Sequence, residues 1–190
     1  MFSKQTYYLS FVTQPQNLTF EELYNIHASM VFNLALQYVQ NTEDAEEITQ
    51  DVFVSVHQSF SSFKGESTLK TWIYRITINK SLDHIKSKQR KKRFAFLTSL
   101  FFDNSSDLKH DQPTFNHPGV QLEDKESIAA IFKHINDLPD NQKTALILHK
   151  IENKTQAEVA EIMNTSPKAI ESLIQRAKTN LSKKLNPNEG

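Results

Sequence analysis

The chain has no cysteine, only three glycines among its 190 residues and no net charge. Without cysteine there is no disulfide, no thiolate nucleophile and no cysteine-based zinc site, which suits a reducing cytoplasm. Two of the glycines, Gly119 and Gly190, fall in a turn-rich stretch and at the chain end. No Gly-rich loop therefore opens a helix, and the P-loop and dinucleotide-binding folds are excluded. Lys plus Arg and Asp plus Glu both total 22, so no global field draws the protein onto DNA or a membrane, and any nucleic-acid surface has to be local. No apolar run approaches the roughly 20 residues needed to span a bilayer. The start, "MFSKQTYYLSFVTQPQ", lacks the apolar core and cleavage site of a signal peptide. The expectation is a soluble cytoplasmic protein with no membrane insertion.

What is present is helical periodicity. In "TFEELYNIHASMVFNLALQYVQN", Thr19 and Glu22 make a capping box, and Leu23, Ile26, Met30, Leu34 and Tyr38 recur on one helical face. Asn41 or Thr42 caps a second helix whose first turns are acidic, as the helix dipole favours, with Ala45, Ile48, Val52 and Val56 as its inner stripe and Phe53 beside it. After the loop "SSFKGES", Leu69, Trp72, Ile76, Leu82 and Ile85 keep helical spacing in a third. The pattern fails between Phe94 and Gly119, where polar, turn-rich sequence with two prolines reads as a linker. The apolar "FAFLTSLFF" at its start reads as a short helix capping the bundle or as a partner-binding segment.

Helical pattern returns in "QLEDKESIAAIFKHINDL" and in "PDNQKTALILHKIEN", where Pro139 suits a first helical position. Then Thr155 and Glu158 form a second capping box ahead of inward-facing Val159, Ala160 and Met163. Asn164 tolerates a left-handed conformation in the turn "NTS", and Ser166 with Pro167 starts another helix. Two helices joined so tightly read as a helix-turn-helix, whose second helix enters the major groove. Lys168, Ser172, Gln175 and Arg176 suit base edges there, and Lys178, Lys183 and Lys184 suit phosphates. The plainer alternative is a helical hairpin with a solvated basic face.

A second basic concentration, Lys80, Lys86, Lys88, Arg90, Lys91, Lys92 and Arg93, closes the third helix. Upstream, Trp72, Tyr74, Arg75 and Asn79 combine the groups that hold unstacked bases, although Trp72 taken alone reads as core. The acidic stripe Glu43, Asp44, Glu46, Glu47 and Asp51 has no His or metal-ligand partner at a useful helical offset. It reads as dipole complementarity or as a docking face for a basic partner. His110 and His117 lack a third ligand, so no metal site is expected, nor any cofactor or small-molecule substrate.

Together these motifs resemble a known family. "DAEEITQDVFVSVHQSFSSFKGESTLKTWIYRITINKSLDHIKSKQRKK" looks like region 2 of an extracytoplasmic function (ECF) sigma factor of the sigma-70 family, and "LPDNQKTALILHKIENKTQAEVAEIMNTSPKAIESLIQRAKTNL" looks like its region 4. The resemblance implies an all-α chain of two small helical domains joined by a flexible linker: a tail over 1–18, region 2 over 19–93, a linker over 94–124 and region 4 over 125–186. It implies a non-enzymatic subunit of bacterial core RNA polymerase that recognises promoter DNA and helps to melt it, under the control of an anti-sigma factor that is often membrane-tethered. It assigns Glu47, Gln50, Asp51 and Phe53 to polymerase binding. Phe63, Lys64, Glu66 and Ser67, with Arg75, Asn79 and Lys80 on the adjoining helix, would take the minus-ten element. Lys168, Glu171, Ser172, Gln175 and Arg176 would read the minus-thirty-five element, and Lys86, Lys88, Arg90, Lys91 and Lys178 would hold DNA backbone. Glu171 departs from the family, standing where many members carry a cation, so the usual minus-thirty-five preference is not assumed. Two other readings are a stand-alone helix-turn-helix regulator and a nucleic-acid-processing enzyme, the latter supported only by the carboxylate stripe.

Overall fold

A computed structural model describes residues 19–101 and 130–185 of the chain. Helix α1, Phe20–Val39, opens on the expected capping box, with the Thr19 hydroxyl accepting from the Glu22 amide and the Glu22 carboxylate accepting from the Thr19 amide. It closes at Gln40, which is left-handed (φ 55°) although not glycine; its side-chain amide donates to the carbonyls of Leu36 and Gln37, satisfying the helix end locally. Asn41 caps α2, Thr42–Ser59, by accepting from the Asp44 amide. One 3-10 turn, Phe60–Ser62, and a loop containing left-handed Gly65 (φ 70°) lead to α3, Leu69–Phe101.

These three helices bury Leu23, Val31, Ala35, Ala45, Ile48, Val52, Val56 and Ile73 in a shared core. Full burial of each large aliphatic side chain contributes about 1.5–3 kcal/mol. The stripe expected for α2 is the one observed, and that of α1 is wider than expected: Leu23, Leu34 and Tyr38 are buried as read, Val31 and Ala35 join them, and only Ile26, 61% exposed, falls outside. The α3 stripe is displaced. Ile73, Tyr74, Thr77, Ile78 and Ser81 are buried, whereas Leu69, Trp72, Ile76, Leu82 and Ile85 are only partly so. A helix covered on two sides has no single apolar stripe. The hydroxyls of Thr77 and Ser81 need no outside partner, because each donates to the carbonyl one turn back, at 2.8 Å.

The expected break at Phe94 is absent, since α3 runs on to Phe101, and Phe94 and Phe96 lie on that extension with 73% and 55% exposure. The rest of the expected linker, and the start of the helix expected from Gln121, lie outside the described residues. Helix α4 (130–136) precedes α5, Asp140–Leu146, with Pro139 one position earlier than expected, as its cap. The helix then widens into one π turn, Ile147–Ile151. Helix α6, Gln156–Ile162, and helix α7, Pro167–Leu185, complete the second unit. Ile147, Leu148, Val159, Ile170, Ile174 and Ala177 form its core, which is continuous with Leu34, Tyr38, Tyr74 and Ile78 of the first unit. Helix α3 is therefore the shared wall between two cores.

Candidate nucleic-acid interface

The loop before α3 is held at its far end by Thr68, whose hydroxyl accepts from the Thr71 amide at 3.1 Å. This turns Phe63 onto Trp72, with ring centroids 5.1 Å apart and planes at 41°. The pair walls a cleft of about 210 Å³ that Ser59, Ser62, Lys64, Glu66, Ser67 and Arg75 also line. All four loop residues assigned from sequence thus meet at one place. Trp72 is half-buried, supporting the core on one side and the cleft on the other. An aromatic wall, a cation and several hydroxyl groups form a pocket suited to an unstacked base. Asn79 is exposed and Lys80 half-buried, the latter in a separate depression with Glu47, Asp51 and Arg90.

Arg75 lines the cleft, but its donors point across to the second unit. Its Nε donates to the Ile162 carbonyl at 3.1 Å and a terminal nitrogen donates to the Glu161 carbonyl at 2.7 Å. These are end carbonyls of α6, where a cation complements the helix dipole. Beside it the Thr71 hydroxyl donates to the Glu161 carboxylate at 3.1 Å.

The cations expected on DNA backbone divide into two groups. Lys86 pairs with Asp140 at 3.0 Å, which raises its pKa, and Lys88 pairs with Asp44 at 2.7 Å. Arg90, Lys91 and Lys178 are exposed. Of the two lysines ending α7, Lys184 pairs with Asp137 at 2.9 Å. A charge run read from sequence counts cations without showing which are already neutralised by another helix.

Along α2, Glu43, Glu46, Glu47, Gln50 and Asp51 are exposed, as a docking face requires. Phe53, assigned to the same face, is instead buried at 4% exposure, with the Tyr24 ring 4.6 Å away and the Phe20 ring edge-on at 6.4 Å, so it packs behind the exposed carboxylates. The stripe also has the histidine that helical offset failed to supply. Packing of α2 on α3 brings His84 to 3.2 Å from Asp44 and groups Asp44, Glu47 and His84 within 4.8 Å of one another. The Lys88 ammonium sits on the same Asp44 carboxylate, so a cation already neutralises it.

The C-terminal pair of helices has the expected geometry. A capping box starts α6, and its Glu158 carboxyl is held below the usual range by the Thr155 amide and hydroxyl. Asn164 is left-handed (φ 50°), and the amides of Asn164 and Thr165 return to the carbonyls of Glu161 and Ala160, which stops the helix as a Schellman motif. The Ser166 hydroxyl accepts from the Ala169 amide and Pro167 begins α7. With Ile170, Ile174 and Ala177 buried, Lys168, Glu171, Ser172, Gln175 and Arg176 share the exposed face. The Ser172 hydroxyl donates to its own helix, at the Lys168 carbonyl, 3.0 Å away.

Two family models match, in order: Sigma-70 region 2 over residues 23–91 and Sigma-70 region 4 over residues 129–181. Among curated proteins, the ECF RNA polymerase sigma-E factor of Haemophilus influenzae is 27% identical over 93% of this chain and 92% of its own length. The RNA polymerase sigma-H factor of Pseudomonas aeruginosa is 26% identical over 83% of this chain and 81% of its own. The chain belongs to the sigma-70 family, as an ECF-type sigma factor. Two solved structures share the fold of this sigma factor. CnrH in complex with the cytosolic domain of CnrY has a TM-score of 0.59 at 20% identity, covering 90% of this chain and 89% of that one. The sigma factor RpoE of Bartonella quintana, in complex with the anti-sigma factor NepR, has a TM-score of 0.57 at 22% identity, covering 90% and 98%. The family consists of transcription initiation factors.

Sequence reasoning missed the residues through which the two units of this sigma factor meet: Gln37, Tyr38, Thr144, Glu152 and Glu161. Tyr38 donates to the Thr144 hydroxyl at 2.9 Å, and the Glu152 carboxylate accepts from Gln37 at 2.6 Å and Tyr74 at 2.9 Å. Burial, together with the Glu152 carboxylate, pushes the Tyr74 hydroxyl well above its ordinary pKa. These partners stand 78 to 115 positions apart, so no local spacing signals them.

Proposed function

We infer that this sigma factor binds bacterial core RNA polymerase, directs it to promoters and helps to open the DNA where transcription starts. The observation that carries the reading is the presence on one chain of an aromatic-walled cleft suited to an unstacked base and a helix-turn-helix with an exposed polar face. Glu47, Gln50 and Asp51 dock on polymerase. The cleft of Phe63, Lys64, Glu66, Ser67 and Trp72 takes a minus-ten base, with Arg75, Asn79 and Lys80 beside it. Lys168, Glu171, Ser172, Gln175 and Arg176 face the minus-thirty-five element, where Glu171 accepts from a cytosine amino group and repels phosphate. Arg90, Lys91 and Lys178 hold backbone. Region 2 occupies the first unit and region 4 the second, the chain carries out no chemistry of its own, and it acts in the cytoplasm. An anti-sigma factor that covers these surfaces is its regulator; RpoE of Bartonella quintana is in complex with the anti-sigma factor NepR.

The test is capture of purified core polymerase by the tagged protein, followed by run-off transcription on a fragmented genomic library. Capture with new start sites is expected. Operator binding without polymerase would instead make the protein a stand-alone regulator.

A further inference from the structure

We propose that the far end of α3 is a peripheral anchor for an anionic lipid bilayer, where Arg90, Lys91, Lys92 and Arg93 meet the headgroups and Phe94 and Phe96 enter the interface beside them. The inference goes beyond promoter recognition and does not depend on it. Residues 90–96 are exposed at every position, and neither core takes a residue of α3 beyond Ile85. A helical segment with water on every side is ordinarily polar all round. This one instead carries phenylalanines at 73% and 55% exposure. Single apolar residues on a surface need no explanation, but these two open the apolar stretch "FAFLTSLFF", and α3 continues through it to Phe101.

The charge beside them is available. Lys86 and Lys88 are taken by Asp140 and Asp44. Arg90, Lys91, Lys92 and Arg93 enter no ion pair among the described residues, although Arg90 and Arg93 share an open depression with Glu47 and Asp51. Consecutive cations make a local positive patch on a chain with no net charge. Each cation held near the negative surface of a cytoplasmic leaflet raises affinity about fivefold.

The order of the residues selects a bilayer over nucleic acid. Surfaces that hold single strands combine aromatic rings with cations along their length, because each stacked base brings its own phosphate. Here the two are segregated: the cations end at Arg93 and none follows before Lys109. A polybasic patch joined to an apolar segment is the two-part signal that stable peripheral anchoring requires, and aromatic rings suit the headgroup level. The apolar stretch is far shorter than the roughly 20 residues that span a bilayer, and no described helix is long and apolar enough to cross one. The segment therefore lies on the bilayer. Because Arg90 and Lys91 are also the cations assigned to DNA backbone, duplex DNA and the bilayer compete for them.

The test is co-sedimentation of the full-length protein with phosphatidylcholine vesicles, without and with about one-third phosphatidylglycerol as the anionic lipid. Binding to the mixed vesicles is expected to be tighter by about tenfold or more, and to weaken as salt rises from about 0.1 to about 0.5 M. The double variant Phe94→Ser, Phe96→Ser changes two exposed positions. It is expected to bind mixed vesicles about tenfold more weakly while keeping the wild-type circular dichroism spectrum. Equal binding to the two kinds of vesicle, binding to neither, or undiminished binding by the folded double variant would each overturn the anchor. Phenylalanine-dependent binding of a single-stranded oligonucleotide in place of the mixed vesicles would also overturn it, and would make the segment a nucleic-acid surface. Run-off transcription with core polymerase reads the functional assignment separately, so its failure would leave the vesicle result standing.

Discussion

The contact between the two units can be measured through one buried hydroxyl pair. Tyr38 is 0% exposed and Thr144 4% exposed, and the Tyr38 hydroxyl donates to the Thr144 hydroxyl at 2.9 Å. Tyr38→Phe leaves a buried threonine hydroxyl without this donor, at a cost of about 1–3 kcal/mol. Thr144→Val leaves the tyrosine hydroxyl without its acceptor, at a similar cost. The double variant removes both partners, and a matched apolar pair is tolerated far better than an orphaned polar group. The two single costs should therefore exceed the double by about 1–2 kcal/mol, read as urea-unfolding free energies at pH 7 from the helical circular dichroism signal. Titration of the wild-type protein supplies a second reading. Burial raises the Tyr38 pKa well above that of a free phenol, so its ionisation should be missing from the ordinary alkaline transition, and the stability it contributes should be lost only as pH rises beyond about 10. Single-variant effects that add to within about 0.3–0.5 kcal/mol would refute the reasoning, because residues that do not touch behave that way.

Thr155→Ala should cost about 1 kcal/mol of stability in the same unfolding assay, because it removes the cap that starts the helix-turn-helix. Lys143 is 2% exposed and burial lowers its pKa, so the unfolded chain binds the extra proton and stability should climb as pH rises from that folded pKa toward about 10.5. Lys143→Met should flatten that part of the stability profile. Asp51→Lys should weaken capture of core polymerase with the fold and promoter-reading helix unchanged, as judged by circular dichroism and pull-down. Arg176→Ala should leave capture intact and lower promoter affinity of the holoenzyme by about 1–3 kcal/mol if the side chain reads a guanine. Equal loss of polymerase capture in Asp51→Lys and Arg176→Ala would mean the two surfaces are wrongly assigned.

Local signals are legible in the chain because the forces behind them are local. A capping box uses residues three apart, so Thr19 with Glu22 and Thr155 with Glu158 announce their helices directly. The turn from Asn164 to Pro167 does the same, since a left-handed residue, a cap and a proline each act on the nearest backbone. The loop residues around Phe63 were legible through family resemblance, and their convergence on Trp72 follows from a short loop closed by Thr68. The α3 stripe is not legible from sequence, because amphipathicity assumes one buried face, whereas Tyr74 and Ile78 face a second core. The cover that Tyr24 and Phe20 give Phe53 was equally silent, because those rings come from α1 and no spacing within α2 announces them.

Sequence by itself determined the helices, their caps, the helix-turn-helix and the family, all of which depend on neighbours within a few positions or on recurrent motifs. Tertiary structure alone decided which charges are free. Lys86 and Lys88 belong to acids on other helices, His84 meets the α2 carboxylates, and Arg75 is held by the end of α6. The physical reason is that an ion pair or a buried hydrogen bond is fixed by distance in space, and partners that stand many helical turns apart along the chain leave no periodic trace in it.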